Sequence, residues 1–199
     1  MKYLFILGVF TMGALLKLEN AGAQTLIKTT YCSKEQQSQI LDLIKKTSPL
    51  LPKALSEPLY KWHERFTQRE MEVLTKASRQ ISVVCTNRYR DIVTTVHTTG
   101  PRNSLSRLFL HESFFNDRVG IGDPYYKNEN DFLCDKAGRF WKAFVHQNLG
   151  VGDFVIHDPV GLNRVQNPQN MPYQKKAFEL SRSIEERCRL AYPGKLDFL

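Results

Sequence analysis

Four cysteines, Cys32, Cys85, Cys134 and Cys188, constrain this chain more than any other feature. Their number is even, and they are spaced 53, 49 and 54 residues apart. A structural metal site needs close ligand pairs such as C-x-x-C, so that spacing points away from zinc and toward cross-links. The residues before them indicate the same. Lys2 and the amino terminus are positive, "YLFILGVFTMGALL" (3–16) is apolar, and Ala21-Gly22-Ala23 offers a small-x-small cleavage site. Residues 1–23 are therefore expected to be a secretory signal peptide cut after Ala23. The apolar run is shorter than the roughly 20 residues a membrane span requires, and no later segment is apolar enough to span. In an exported chain an even cysteine count predicts two disulfides.

Three pairings are open. Cys85 and Cys188 fall on apolar stripes, and either they pair with each other or each ties down a loop cysteine, Cys32 or Cys134. The second arrangement is expected, because disulfides fix irregular segments that helix packing leaves loose.

Residues 24–199 carry no low-complexity stretch, repeat or linker, and are long enough for one exported domain with its own core. Most of it reads as helix. Ser33 with Gln36 forms a capping box before Ile40, Leu43 and Ile44, and Pro49 ends that run. "PLLPKALSEPLY" (49–60) reads as a connector with a short helical turn. Thr67 with Glu70 forms a second capping box. From Leu74 through Ala77, Ile81, Val84, Cys85, Arg88 and Ile92 to Val96 the spacing of three or four predicts one long helix ending before "TTGP" (98–101). Asn103 is placed to cap a helix lined by Leu105, Leu108 and Phe109. Asp135 is placed to cap one with Phe140, Trp141, Phe144 and Val145 on a face. A last helix starts near Asn170 and Pro172 and carries Ala177, Leu180, Ile184, Cys188 and Ala191. Residues 119–131 and 163–172 read as loops, and "DFVIHD" around 153–157 as a short β segment. The expected fold is mainly α: a single compact domain of about five helices with that β segment, stapled by two disulfides.

The formal charge is +8, and about +7 remains once Lys2, Lys17 and Glu19 leave with the signal peptide. Such a chain is drawn to an anionic cell-envelope polymer or an acidic protein partner. No N-x-Ser/Thr sequon occurs, which favours a bacterial envelope, periplasmic or secreted, over a eukaryotic secreted setting. Nucleic-acid binding is not indicated: Arg69, Lys76, Arg79, Arg88 and Arg90 do not share one helical face, and Glu70 and Glu72 interrupt them. No H-E-x-x-H, G-x-S-x-G, phosphate loop or dinucleotide fingerprint is present, so no metal and no cofactor is indicated. His157 beside Asp158 is not a ready dyad, since neighbours in an extended chain point to opposite faces.

The residue with most chemical interest is Glu112, in "LFLHESFFND" (108–117). Helical spacing from Leu105 and Leu108 would set it beside Phe109 and Phe115, where burial raises a carboxyl pKa toward that of a general acid. The string resembles the catalytic helix end of lytic transglycosylases and related lysozyme-like enzymes over about ten residues. Glu112 and Ser113 match their Glu-Ser, and Phe115 and Asn116 their Phe-Asn. The loop that follows in that family, Gly-Ala-x-Gly-Leu-Met-Gln-like, is "GIGDPYY" here. The resemblance implies Glu112 as the acid that cleaves the glycan strand of peptidoglycan. Apart from the resemblance, Tyr125 and Tyr126 in the loop that follows are placed to stack on sugar rings. Asp117 and Asp123 are the local choices for the second carboxylate a glycosidase usually wants. The leading expectation remains a helical binding protein of the envelope: an adaptor, an inhibitor or immunity protein, or a secretion-system component.

Overall fold

The computed structural model describes residues 13–20, 23–57, 65–87, 107–116, 129–149 and 171–193. These are mainly helical, as expected, with four helices of ten residues or more rather than about five. They also contain a four-stranded sheet that the spacing of apolar residues did not announce. The elements run β1 (Gly13–Asn20), β2 (Ala23–Thr30), α1 (Lys34–Thr47), a 3-10 turn (Ser48–Leu50), α2 (Leu51–Ser56), α3 (Gln68–Ala77), β3 (Gln80–Thr86), β4 (Arg107–His111), α4 (Ser113–Asn116), α5 (Glu129–Asn148) and α6 (Met171–Ala191). The strand order is β1-β2-β3-β4. β1 and β2 are antiparallel, while β2, β3 and β4 run parallel.

Both predicted capping boxes are formed. Ser33 Oγ accepts from Gln36 N–H while Gln36 accepts from Ser33 N–H, and Thr67 and Glu70 do the same. Ile40, Leu43 and Ile44 are buried as their spacing requires.

The long helix expected from Thr67 to Val96 is not formed. It stops at Ala77, the chain turns at Ser78 and Arg79, and Gln80–Thr86 becomes β3. The reason is local composition and burial together. "ISVVCT" is rich in β-branched residues, and Ile81 to Cys85 is buried without a break. A strand covered on both faces has no alternation, so Ile81, Val84 and Cys85 satisfied a helical spacing by accident. The helix expected at Leu105–Phe109 is likewise a strand, β4, whose Leu108 and Leu110 lie level with Val83 and Cys85. Asp135 is not a cap: α5 begins six residues earlier, and Asp135 sits inside it, paired with Arg139 at 2.6 Å. Ala191 is exposed rather than on the buried stripe of α6. The β segment near 153–157 lies outside the described residues.

The sheet register sorts its side chains. Ile27, Thr29, Ile81, Val83, Cys85, Leu108 and Leu110 fall on one face, and all are buried. Apart from Thr29, they share one core with Ile40, Ile44, Leu74, Phe140, Trp141 and Ile184 of the helices. On the opposite face Lys28 is exposed and Leu26, Thr30 and Phe109 are half-buried.

Helices α5 and α6 pack antiparallel, as the pairs Cys134–Cys188 and Gly138–Ser181 require. A Cβ at Gly138 would lie 3.0 Å from the Ser181 carbonyl oxygen, so glycine is what lets the two backbones approach. Arg189 bridges Glu185 at 2.6 Å and Asp131 at 3.4 Å along this seam. Burial pushes the Glu185 carboxyl up and Asp135 adds to that, while Arg189 and Arg182 oppose it.

The two disulfides are Cys32–Cys85 and Cys134–Cys188. Cys32 follows β2, and its bridge ties the start of α1 to the neighbouring strand β3. Cys134 is helical rather than a loop residue.

Helices α3 and α6 are pinned by an ion pair. Lys176 Nζ lies 2.9 and 3.0 Å from the two Glu70 oxygens, with side chains only 10% and 13% exposed. Burial alone would raise the Glu70 carboxyl above its ordinary 4.5. Hydrogen bonds from Lys176 and Thr67, with the Lys176 charge, outweigh it and hold the group below that value. A carboxyl depressed in the folded state adds stability above its unfolded value and loses it as pH falls through the folded one. Glu70→Gln is therefore expected to cost about 1–2 kcal/mol at pH 7, because it strands a largely buried ammonium. The cost should shrink toward zero as pH falls below the ordinary 4.5 and through the lower folded value, where the wild-type carboxyl is protonated too. Urea melts of both proteins between pH 7 and 3 check this; a difference that does not change with pH would refute the assignment.

Candidate functional site

Parallel strands in open α/β sheets bring functional groups to their carboxyl ends. In this chain those ends carry Tyr31 and Cys32 after β2, Thr86 at the end of β3 with Asn87 after it, and His111 at the end of β4 with Glu112 after it. Thr86 and His111 are level in the parallel ladder. Glu112 N–H donates to the Thr86 carbonyl at 3.1 Å, and the Glu112 carbonyl accepts from Phe115 N–H at 3.0 Å. Glu112 is thus the turn residue between β4 and the four-residue helix α4.

That setting differs from the one its spacing suggested. Glu112 ends a strand, not a helix, and its side chain is exposed rather than packed beneath Phe109 and Phe115. Phe114 and Phe115 are the buried members of this segment, meeting edge to face at 5.4 Å. Tyr125, Tyr126, Asp117, Asp123, His157 and Asp158 lie outside the described residues.

Two residues at these strand ends were not singled out from the sequence as site candidates. His111 is buried, 7% exposed, on the sheet face away from the helices. Only the strand assignment could have revealed that, because a helical reading gives a different neighbour set. Tyr31 has φ 59° and is 66% exposed. A bulky residue in the left-handed region is strained. Here β2 must turn into the Ser33 cap while Cys32 is held to Cys85, which leaves Tyr31 to absorb the turn. His146 is buried in α5 as part of the helical core.

Among the described residues no cluster of three His, Cys, Asp or Glu could hold a metal, and no helix is long and apolar enough to cross a membrane. Among the described residues the strand ends bring together one carboxylate, one exposed tyrosine and a buried imidazole. Compared with protein-family models, with curated proteins and with solved structures, the chain has no significant match.

Proposed function

We propose that this chain is an exported binding protein of a bacterial envelope, an adaptor, inhibitor or immunity protein, or secretion-system component, whose partner is an anionic wall polymer or an acidic protein. The observation that carries the reading is the pairing of both disulfides between core elements in a chain of net charge +8. Bridges of this kind are the mark of an oxidising, extracytoplasmic compartment, and a cationic protein there meets anionic polymers first. The exposed cations Arg65, Arg69, Lys76 and Arg79 run from the entry of α3 into the turn before β3.

The alternative is a peptidoglycan-cleaving glycosidase with Glu112, at the end of β4, as its acid. One experiment separates the two. Oxidised protein and its Glu112→Gln variant are incubated with purified cell-wall sacculi, and both co-sedimentation and released muropeptides are measured. The expected result is salt-sensitive co-sedimentation of both proteins with no muropeptide release. Release by the wild type alone would make this a wall hydrolase and name its acid. Absence of binding would retire the wall polymer and leave the acidic protein partner.

A further inference from the structure

We propose that the outer face of α3, with Arg65 and Arg79 at its two ends and Arg69 and Lys76 between them, is the surface that grips a linear anionic polymer of the wall. The inference rests on the binding-protein reading above and deepens it, since it names the place and the form of the partner.

Helix geometry sets the face. Arg69 and Lys76 are seven residues apart, close to two full turns, so they share one side of α3. Leu74 lies on the opposite side and is fully buried in the core. The two cations therefore stand on the side turned away from the core, and both are exposed. Arg65 stands before the first turn and Arg79 after the last, and both are exposed too. Positive groups thus follow this ten-residue helix, about 15 Å long, from end to end.

The carboxylates nearby do not cancel them. Glu70 is turned toward α6, where Lys176 Nζ lies 2.9 and 3.0 Å from its two oxygens. Glu72 is on the outer face, three residues from Arg69 and four from Lys76, and accepts from Gln68 Nε2 at 3.0 Å. Among the described residues none of these four cations forms an ion pair, whereas Lys46 pairs with Asp42 at 2.9 Å and Arg139 with Asp135 at 2.6 Å. Four positive charges against one leave the face a field that attracts anions.

The make-up of the surface selects a polymer over a folded protein. A protein interface closes around an apolar core enriched in aromatic residues. The outer face of α3 has no aromatic residue, and its one aliphatic, Val73, is 40% exposed between Arg69 and Lys76. Cations in a row along a helix suit a flexible chain with an anionic group in every repeat, because successive groups settle on successive cations and release their counterions.

The test is co-sedimentation of the oxidised protein with purified sacculi that keep their anionic polymers, across a salt series. Arg69→Gln/Lys76→Gln is expected to bind about tenfold more weakly, with a shallower dependence on salt. Lys34→Gln/Lys45→Gln removes the same charge from exposed lysines of α1 and should lose less than about twofold. Arg69→Lys/Lys76→Arg keeps the charge and should bind as the wild type does. Equal losses from α1 and α3, or no loss from α3, overturn this surface and leave the binding reading intact. A loss shared by the charge-keeping variant overturns it too, since the effect then belongs to folding rather than to charge. Wild-type protein that stays in the supernatant retires the wall polymer itself, and this surface with it.

Discussion

Trp141→Ala is expected to lower the unfolding free energy by about 3–5 kcal/mol, the range for deleting a large buried aromatic side chain. Trp141 is fully buried on α5. It meets Phe140 edge to face at 5.5 Å and Phe144 at 5.1 Å. Its indole N–H donates to Thr47 Oγ1 at 2.9 Å, and that hydroxyl donates to Leu43 O at 2.7 Å. One side chain therefore fills the core and satisfies the buried end of α1. Trp141→Phe separates these roles. It keeps most of the aromatic packing and removes the indole donor, at a cost of about 1 kcal/mol. Urea melts read both values. A loss below about 1 kcal/mol for Trp141→Ala would mean that α5 does not centre the core.

The second large effect concerns the disulfides. They close loops of nearly equal length, with sequence separations of 53 and 54. Chain entropy alone assigns each about 4 kcal/mol, within the 2–5 kcal/mol usually lost with a native bridge. Their access to reductant differs. Cys134 and Cys188 are both 0% exposed, whereas Cys32 is only half-buried. Graded reduction with thiol trapping is expected to label Cys32 and Cys85 first, with the α5–α6 bridge opening only as the protein unfolds. Simultaneous labelling of all four cysteines would show that the bridges open through one global event. An unchanged thermal midpoint after both are open would show that neither is structural.

The parts of this fold legible in the sequence are those decided within a few residues. Ser33 with Gln36 and Thr67 with Glu70 announce two helix starts because each box is closed by hydrogen bonds three residues apart. Ala177, Leu180, Ile184 and Cys188 announce α6 because one face of it is buried and the other is wet. The strands were not legible in this way. β3 is buried from Ile81 to Cys85, so its pattern has no period to read, and the preceding helix lent it a false one. Glu112 was legible as a residue of interest. Its surroundings were not, because the same letters place it beside phenylalanines on a helix and, exposed, at the end of a strand.

The sequence by itself determined a mainly helical chain, a strong positive charge, two helix caps and the capacity for two cross-links. Each depends on composition or on neighbours along the chain. The cysteine pairing was decided only in three dimensions. Cys32 reaches Cys85 because β2 and β3 lie side by side, and Cys134 reaches Cys188 because α5 and α6 run antiparallel at close quarters over Gly138. The ion pair of Glu70 with Lys176, 106 residues apart, and the bond of Trp141 to Thr47, 94 apart, belong to the same kind. Burial made these contacts, and burial is a property of the assembled core, where distant segments exclude water together, rather than of any segment read alone.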